Sequence, residues 1–502
     1  MIIDVHMHSV QGMGKRALKL FREEFRRNGV ALGMVNSLGV KTWPQYPTAQ
    51  EVREANAETQ SLAKNSRGML LWLAYINPQN GNWRKEIDHC LAGGAAGIKL
   101  WVALKDKQGK LDNTENVLDY AGRKNLPALI HTFNRADASL PGEITTAEFM
   151  ELAERHPQTR MIAAHSGIHW PAESLLFRPL ANVWVDGGGG YPLKGQLEAL
   201  VKKMGAERVL FGSDLFCRTQ GSQLAKVMLA DLSAAQKNKI LSENAISLFG
   251  LHDCINAGNQ KPVLSSCPVD TTEDHFCFCG HWPFFKTECP TPRTLESVLA
   301  KAGIKRAYAA DLGSVYRQDL ASANDDFMAA CRGFKRIKPL AVINPRLPDW
   351  KQVLDNISDK FAGIIIFPHL HCWNLSDPRQ AGLFQFCRKH NVRLWINCRL
   401  DDSRFRHGSV LYRDTTTEEL LGLGAAPGTP PVVFQGVFEG ALDIFLKHHG
   451  NDNRFKFEIS HLTDYPGALR RILKKHGAKR LVMGSEYPFR DIRQVRWTSQ
   501  RV

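Results

Sequence analysis

Short apolar runs punctuate the first half of the chain: Val30-Ala31-Leu32-Gly33-Met34-Val35, Met69 to Ile76, Gly97 to Trp101, Ala128-Leu129-Ile130 and Met161-Ile162-Ala163-Ala164. A longer amphipathic stretch separates each from the next. Runs that stay apolar at consecutive positions fit strands buried on both faces, and the stretches between them fit covering helices. With Ile2 to Val5, Val183-Trp184-Val185 and Arg208 to Phe211, the count reaches eight strands. Eight such β-then-α units predict a closed barrel. The last helix ends near Leu248-Phe249-Gly250, and a stretch rich in Asn, Gly, Ser and Pro follows. A first domain at 1–252, a linker at 253–268 and a second domain at 269–502 are therefore expected.

The second half repeats the first in order. Gly29-Val30 through Leu38-Gly39 aligns with Gly303-Ile304 through Leu312-Gly313, an offset of 303 − 29 = 274. Ala74 to Pro78 aligns with Ala341 to Pro345 at 267, and Ala96-Gly97-Ile98 with Ala362-Gly363-Ile364 at 266. Farther on, Gly205-Ala206-Glu207-Arg208 to Gly212-Ser213-Asp214 matches Gly477-Ala478-Lys479-Arg480 to Gly484-Ser485-Glu486 at 272. Ordered matches of this kind mark a tandem repeat. The fold class expected is α/β, as two tandem (β/α)8 TIM-like barrels.

Composition is compatible with this: 502 residues with 43% hydrophobic content are enough for two barrel cores. The net charge of +15 is spread over helix-like stretches with Asp and Glu interleaved, so it reads as solvated helix faces rather than a nucleic-acid surface. Neither a signal peptide nor a membrane span is expected, because the first residues lack the basic and apolar regions of a leader and no long apolar run occurs. The eleven cysteines are scattered. Cys267, Cys277, Cys279 and Cys289 lack paired Cys-x-x-Cys knuckles and read as reduced thiols of a cytoplasmic protein.

Candidate chemistry gathers at strand ends. His6 and His8 stand two apart at the end of the first strand, so both point to one side, into the mouth at the barrel's C-terminal end. His131, His165 and Asp214 each follow a buried run, which brings five ligand-type side chains to one rim. Lys99 would place a cation at the mouth, and Arg135 and Arg218 follow the His131 and Asp214 strand ends. Together they suggest a substrate with a carboxylate or another anionic group. Solvent-facing loop positions are the alternative for both arginines. Trp101, His169 and Trp170 also follow strand ends, to shape a pocket or to pack between loops. Gly187 to Gly190 reads as a tight loop, not a phosphate cradle, since no Gly-Lys-Ser/Thr follows.

Taken together, Ile3-Asp4-Val5-His6-Met7-His8, Gly97 to Leu100, Leu129-Ile130-His131-Thr132, Ala164-His165-Ser166-Gly167, Arg208 to Asp214 and Glu243 to Gly250 resemble the amidohydrolase-related family. That family comprises metal-dependent hydrolases and decarboxylases of TIM-barrel fold. The resemblance implies that His6, His8, His131 and Asp214 ligate or adjoin one divalent ion, zinc or alternatively manganese. It implies that His165 ligates the ion or orients the substrate. A metal-bound water would then be the nucleophile and Asp214 the general base. A strand-end lysine placed like Lys99 can be carbamylated to bridge two metals in relatives within the wider superfamily; a single metal is expected here.

The second copy departs from this pattern. Phe276 and Phe278 take the places of His6 and His8, Asn397 that of His131, and Glu486 that of Asp214; Gln435 falls near the place of His165. The second barrel is therefore expected to be degenerate, although His369 and His371 form another His-x-His at a strand end. The expected activity is hydrolysis of an amide, ester or lactone bond in a small anionic molecule. A decarboxylase of an aromatic or unsaturated acid is the nearest alternative, and a non-catalytic binding or scaffold protein is the alternative from another class. A small-molecule substrate is the expected partner, with no membrane and no nucleic acid, and a homo-oligomer is left open.

Overall fold

The computed structural model describes residues 1–40, 43–136, 139–166, 172–252, 260–284, 286–356, 361–400, 402–406, 413–426, 428–450 and 452–501. His169 and Trp170, and residues 253–259 of the expected linker, lie outside the described residues. The chain divides into two compact units, Met1–Leu264 with Arg501, and Ser265–Gln500 with Val502.

In the first unit the strands are β1 (Ile3–Ser9), β2 (Leu32–Ser37), β3 (Leu70–Trp72), β4 (Ala74–Tyr75), β5 (Ile98–Leu100), β6 (Ala128–His131), β7 (Met161–Ala164), β8 (Val183–Asp186) and β9 (Val209–Leu210). They form a three-stranded sheet, β1-β2-β3, and a six-stranded sheet, β4 through β9, with every pair parallel. The single run expected over Met69 to Ile76 divides at Leu73. Leu73 N bonds the Val35 carbonyl of β2 at 2.9 Å, whereas Ala74 N turns to the Gly97 carbonyl beside β5 at 2.9 Å. Beyond β9 the chain returns to β1: Val5 N bonds Phe211 O at 3.0 Å and His8 N bonds Leu215 O at 2.9 Å.

The second unit holds one eight-stranded parallel sheet, nearly closed as a barrel, in the order β10 (Glu273–Cys279), β11 (Arg306–Asp311), β12 (Ile337–Val342), β13 (Gly363–Ile366), β14 (Leu394–Asn397), β15 (Val432–Gln435), β16 (Phe455–Glu458) and β17 (Leu481–Val482). His275 N to Met483 O at 2.9 Å and Phe278 N to Tyr487 O at 2.8 Å link its first strand to the chain after its last. Both first strands carry a register irregularity at matching places, between Asp4 and Met7 and between Asp274 and Cys277.

Alternation along β1 sets the chemistry of the first unit. Ile3 and Val5 pack with Leu32, Met34, Leu73, Leu129, Ile162 and Leu210, with Ala245 and Leu248 of the helix Asn244–Phe249, and with Leu251 just beyond it. Asp4, His6 and His8 occupy the intervening positions and are buried without joining that core. Among the described residues, no helix is long and apolar enough to cross a membrane.

Candidate metal centre

Three side chains of the first unit, His6, His8 and Asp214, bring ligand atoms within 4.8 Å of one another, all buried. The backbone puts them there. Asp4 accepts from Ser213 N at 2.9 Å, and Asp214 N donates to the His6 carbonyl at 2.8 Å, which ties the turn after β9 across β1. Asp214 sits at φ 59° and His165 at φ 63°. Left-handed backbone at non-glycine residues costs on the order of 1–3 kcal/mol each and recurs at functional sites. Gly212 allows the close approach, since a Cβ there would lie 2.8 Å from the His6 Cβ. Gly189 packs against the His165 ring, where a Cβ would collide with it, in keeping with the tight-loop reading of the glycine run.

Buried partners fix the tautomers. His6 Nδ1 bonds Asp186 Oδ2 at 3.0 Å, and Asp186 is itself held by Gly188 N at 2.8 Å. Asn36 Nδ2 donates to the Met7 carbonyl at 3.0 Å, leaving Asn36 Oδ1 to accept from His8 Nδ1 at 2.8 Å. The Nε2 of His8 then faces Asp214 Oδ1 at 2.7 Å. Two acceptor lone pairs cannot share that distance; the contact requires a proton or a cation. The donor set of two imidazoles and a carboxylate is thus suited to a divalent ion.

Burial governs the electrostatics. It lowers the His6 pKa to about 4, reinforced by the Lys99 ammonium and opposed by Asp186. It brings Lys99 down to about 8 despite Asp186 and Asp214. His131 and His165 are also lowered by burial, His165 well below the usual imidazole value. For Asp214, burial acts upward but is outweighed by the His8 hydrogen bond and the nearby imidazoles, which keep the carboxylate ionised far below its ordinary range.

The other expected site residues are placed as follows. Lys99 Nζ donates to His6 Nε2 at 3.2 Å. His165 lies with its ring 4.9 Å from that of His6 and 5.0 Å from that of His131, and among the described residues its Nδ1 has no hydrogen-bond partner. His131 is outside the three-residue cluster; its Nε2 bonds Glu143 Oε1 at 2.9 Å. The Arg135 guanidinium donates to both oxygens of the same carboxylate, at 2.9 and 3.3 Å. Arg218 is buried, donating to the Gly190 and Cys217 carbonyls and lying over the Tyr191 ring. Trp101 and Phe133 flank His131, with ring centroids 6.5 and 6.0 Å away.

Asp186, Asn36 and Glu143 did not emerge from the sequence as site residues. Asp186 ends β8 just before the glycine run, and a carboxylate at a strand end was the signal available. Asn36 lies near the end of β2, but neither it nor Glu143 has a sequence feature to separate it from other polar residues.

In the second unit, Phe276 and Phe278 are completely buried and in edge contact, with centroids 5.5 Å apart. Glu486 keeps the Asp214 backbone, φ 57°, and its N donates to the Phe276 carbonyl at 2.6 Å. It pairs with Arg490 Nε at 2.5 Å, and Arg490 Nη1 reaches Asp464 at 2.8 Å. Glu458 ends β16 as Asp186 ends β8, and accepts from the backbone N–H groups of Gly436 at 2.8 Å and Ser460 at 2.6 Å. Asn397 donates to Gln435, whose amide bonds the His275 carbonyl. His369 and His371 bond the Asn397 and Val315 carbonyls through Nδ1 and Nε2, at 3.0 and 2.7 Å, and among the described residues they join no cluster of three or more metal-ligand side chains. Cys277 and Cys279 are buried free thiols, their pKa values pushed up by burial.

Comparison with known families matches residues 3–251 to the model described as Amidohydrolase. The first unit belongs to the amidohydrolase family. Solved structures similar to the chain include a 2,6-dihydroxybenzoate decarboxylase from Rhizobium, at 16% identity and TM-score 0.39, covering 50% of this chain and 98% of that one. A 5-carboxyvanillate decarboxylase from Sphingomonas paucimobilis matches at 13% identity and TM-score 0.38, covering 50% and 98%. A dihydroxybenzoic acid decarboxylase from Polaromonas, with bound manganese and 2-nitroresorcinol, matches at 14% identity and TM-score 0.37, covering 51% and 99%. A search of curated proteins returns no match.

Proposed function

We propose that the first unit is a divalent-metal-dependent enzyme that hydrolyses an amide, ester or lactone bond of a small anionic molecule. The observation that carries this reading is the buried approach of His8 Nε2 to Asp214 at 2.7 Å with His6 in the same cluster. A divalent ion, zinc or alternatively manganese, would be held by His6, His8 and Asp214 and would supply Lewis acidity to a carbonyl oxygen and acidify a water. Asp186 and Asn36 keep the two imidazoles in the tautomer that turns Nε2 to the ion. Asp214 accepts and passes on the proton of the attacking water, and His165 orients the substrate. Lys99, Arg135 and Arg218 supply positive charge around it. Decarboxylation of an aromatic acid is the second reading, favoured by the Trp101 and Phe133 rings beside His131.

The whole chain is, on this reading, a tandem pair of barrels at 1–252 and 269–502 joined by a linker, with only the first catalytic. It acts in the cytoplasm on a small molecule. Metal analysis of the purified full chain and of His6→Ala tests the centre: one equivalent in the parent and little in the variant is expected. Undiminished metal in the variant overturns the site. A screen of lactones, amides and aromatic acids, with product acid and carbon dioxide as separate readouts, then decides between hydrolysis and decarboxylation.

A further inference from the structure

Four glycines, Gly187 to Gly190, follow Asp186 at the end of β8 and pass beside the His165 ring. A Cβ at Gly188 would lie 2.7 Å from the Gly212 carbonyl oxygen, and one at Gly189 would collide with that ring, so these positions have no room for side chains. Glycine also has the greatest backbone freedom, and nothing within the turn fixes its conformation. The restraint has to come from its neighbours.

Buried side chains behind the turn supply it. The Gly187 carbonyl accepts from Lys226 Nζ and, at 3.3 Å, from Gln196 Nε2. Lys226 Nζ also donates to Gln196 Oε1 at 3.0 Å, and Gln196 Nε2 to the Ser166 carbonyl at 3.0 Å. At the far end, the Gly190 carbonyl accepts from Gln223 Nε2 at 3.0 Å and from Arg218 Nε at 3.3 Å. Gln196 opens the helix Gln196–Met204, whereas Gln223 and Lys226 stand three positions apart, on one face of the helix Gln220–Leu229. A lysine is almost never fully buried unless it is paired, and this one is buried with a charge-assisted bond to a single peptide carbonyl.

That peptide leads to the candidate metal centre. A trans peptide is planar, and its C=O and N–H point in opposite directions. Drawing the Gly187 oxygen outward to Lys226 therefore aims the Gly188 N–H inward, where it donates to Asp186 Oδ1 at 2.8 Å. The other carboxylate oxygen, Asp186 Oδ2, holds His6 Nδ1 at 3.0 Å. We propose that Lys226 is a positioning residue of the metal centre: through the Gly187–Gly188 peptide it fixes the Asp186 carboxylate, and through Asp186 the direction of His6 Nε2. Gln196 supports it as the second donor to the same carbonyl. The inference rests on the metal reading above and leaves the ligand set as it stands.

Zinc affinity of the full chain, measured by competition with a chromogenic chelator, tests this without an activity assay. Removing a group that holds a ligand directly costs about 10–100-fold; Lys226→Met acts one bond farther out and should cost about 5–10-fold, with Lys226→Arg closer to the parent. Gln196→Leu removes the lesser donor and should show the same loss at smaller size, which keeps the proposal falsifiable if Lys226→Met does not fold. In an Asp186→Ala background neither substitution should weaken zinc binding further, because the route to His6 is already cut. The ligand-field bands of the cobalt-loaded chain should move in Lys226→Met and return toward those of the parent in Lys226→Arg. An affinity of Lys226→Met within roughly twofold of the parent, or an equal loss with and without Asp186, overturns the proposal. If the parent itself binds neither zinc nor manganese, the metal reading fails and this inference falls with it.

Discussion

The two units solve one geometric problem with opposite chemistry. Each bends its chain into left-handed backbone just after its last strand and aims an acidic side chain, Asp214 or Glu486, back across its first strand. In the first unit that carboxylate meets imidazoles whose far nitrogens are satisfied by Asp186 and Asn36. In the second it pairs with a fully buried guanidinium, Arg490, which also binds Asp464, and buried phenylalanines stand at the aligned positions of His6 and His8. Arg490 aligns with Arg218 at the same offset, 218 + 272 = 490, and Arg218 donates to the Gly190 and Cys217 carbonyls. An internal cation faces the acid in the second unit where imidazoles face it in the first, and the difference lies in which groups surround the acid.

The comparison breaks most visibly at Arg490. Arg490→Leu leaves Asp464 buried without its cation and Glu486 without its donor, and a loss of about 3–5 kcal/mol is expected. Chemical denaturation of the full chain, followed by probes in each unit, should show the transition of the second unit moving to lower denaturant while zinc binding is unchanged. A smaller effect is expected at the paired strand-end acids. Asp186→Asn should weaken zinc binding by about 10–100-fold by unsettling the His6 ring, whereas Glu458→Gln should leave metal content as in the parent; metal analysis of both variants checks this.

The smallest effect is a dependence on pH. Burial raises the pKa of Glu458 to about 7 and of Glu486 to about 8 from the ordinary glutamate value of 4.5, outweighing the Arg490 attraction. The folded state then binds more protons than the unfolded state above the unfolded value, so stability falls as pH rises from about 4.5 toward 8, by up to about 1.4 kcal/mol per pH unit for each proton. Glu486→Gln should flatten this slope for the second unit, as read from denaturation midpoints at a series of pH values. An unchanged slope would show that these acids do not govern it.

Much of the candidate site was legible because barrel strands end at the mouth and alternate strictly. His6, His8 and Asp214 needed only a strand assignment and a residue type, and they are the three that meet. Partner choice was not legible. Whether the His131 Nε2 finds a carboxylate depends on a loop acid twelve positions on, 143 − 131 = 12, with no periodicity to reveal it. Arg135 read as an anion-binding cation because charge was visible and its salt bridge to Glu143 was not. In the fold, the apolar run around Leu73 was read as one strand, since hydrophobicity is continuous there; its exchange of partners from β2 to β5 is a matter of backbone pairing. The second unit's phenylalanines at the aligned positions could be read from sequence as non-ligands, but the buried role of Arg490 needed coordinates, as an arginine in sequence reads as surface.

The shared left-handed turn carries one more lesson, for protein engineering. The costly part of building a metal chelate is the scaffold that commits a carboxylate to a fixed direction before any ion arrives, and Glu486 at φ 57° already meets that demand. Installing a second centre in this chain is therefore a problem of side-chain replacement around an existing pivot, beginning with the arginine that now sits against it.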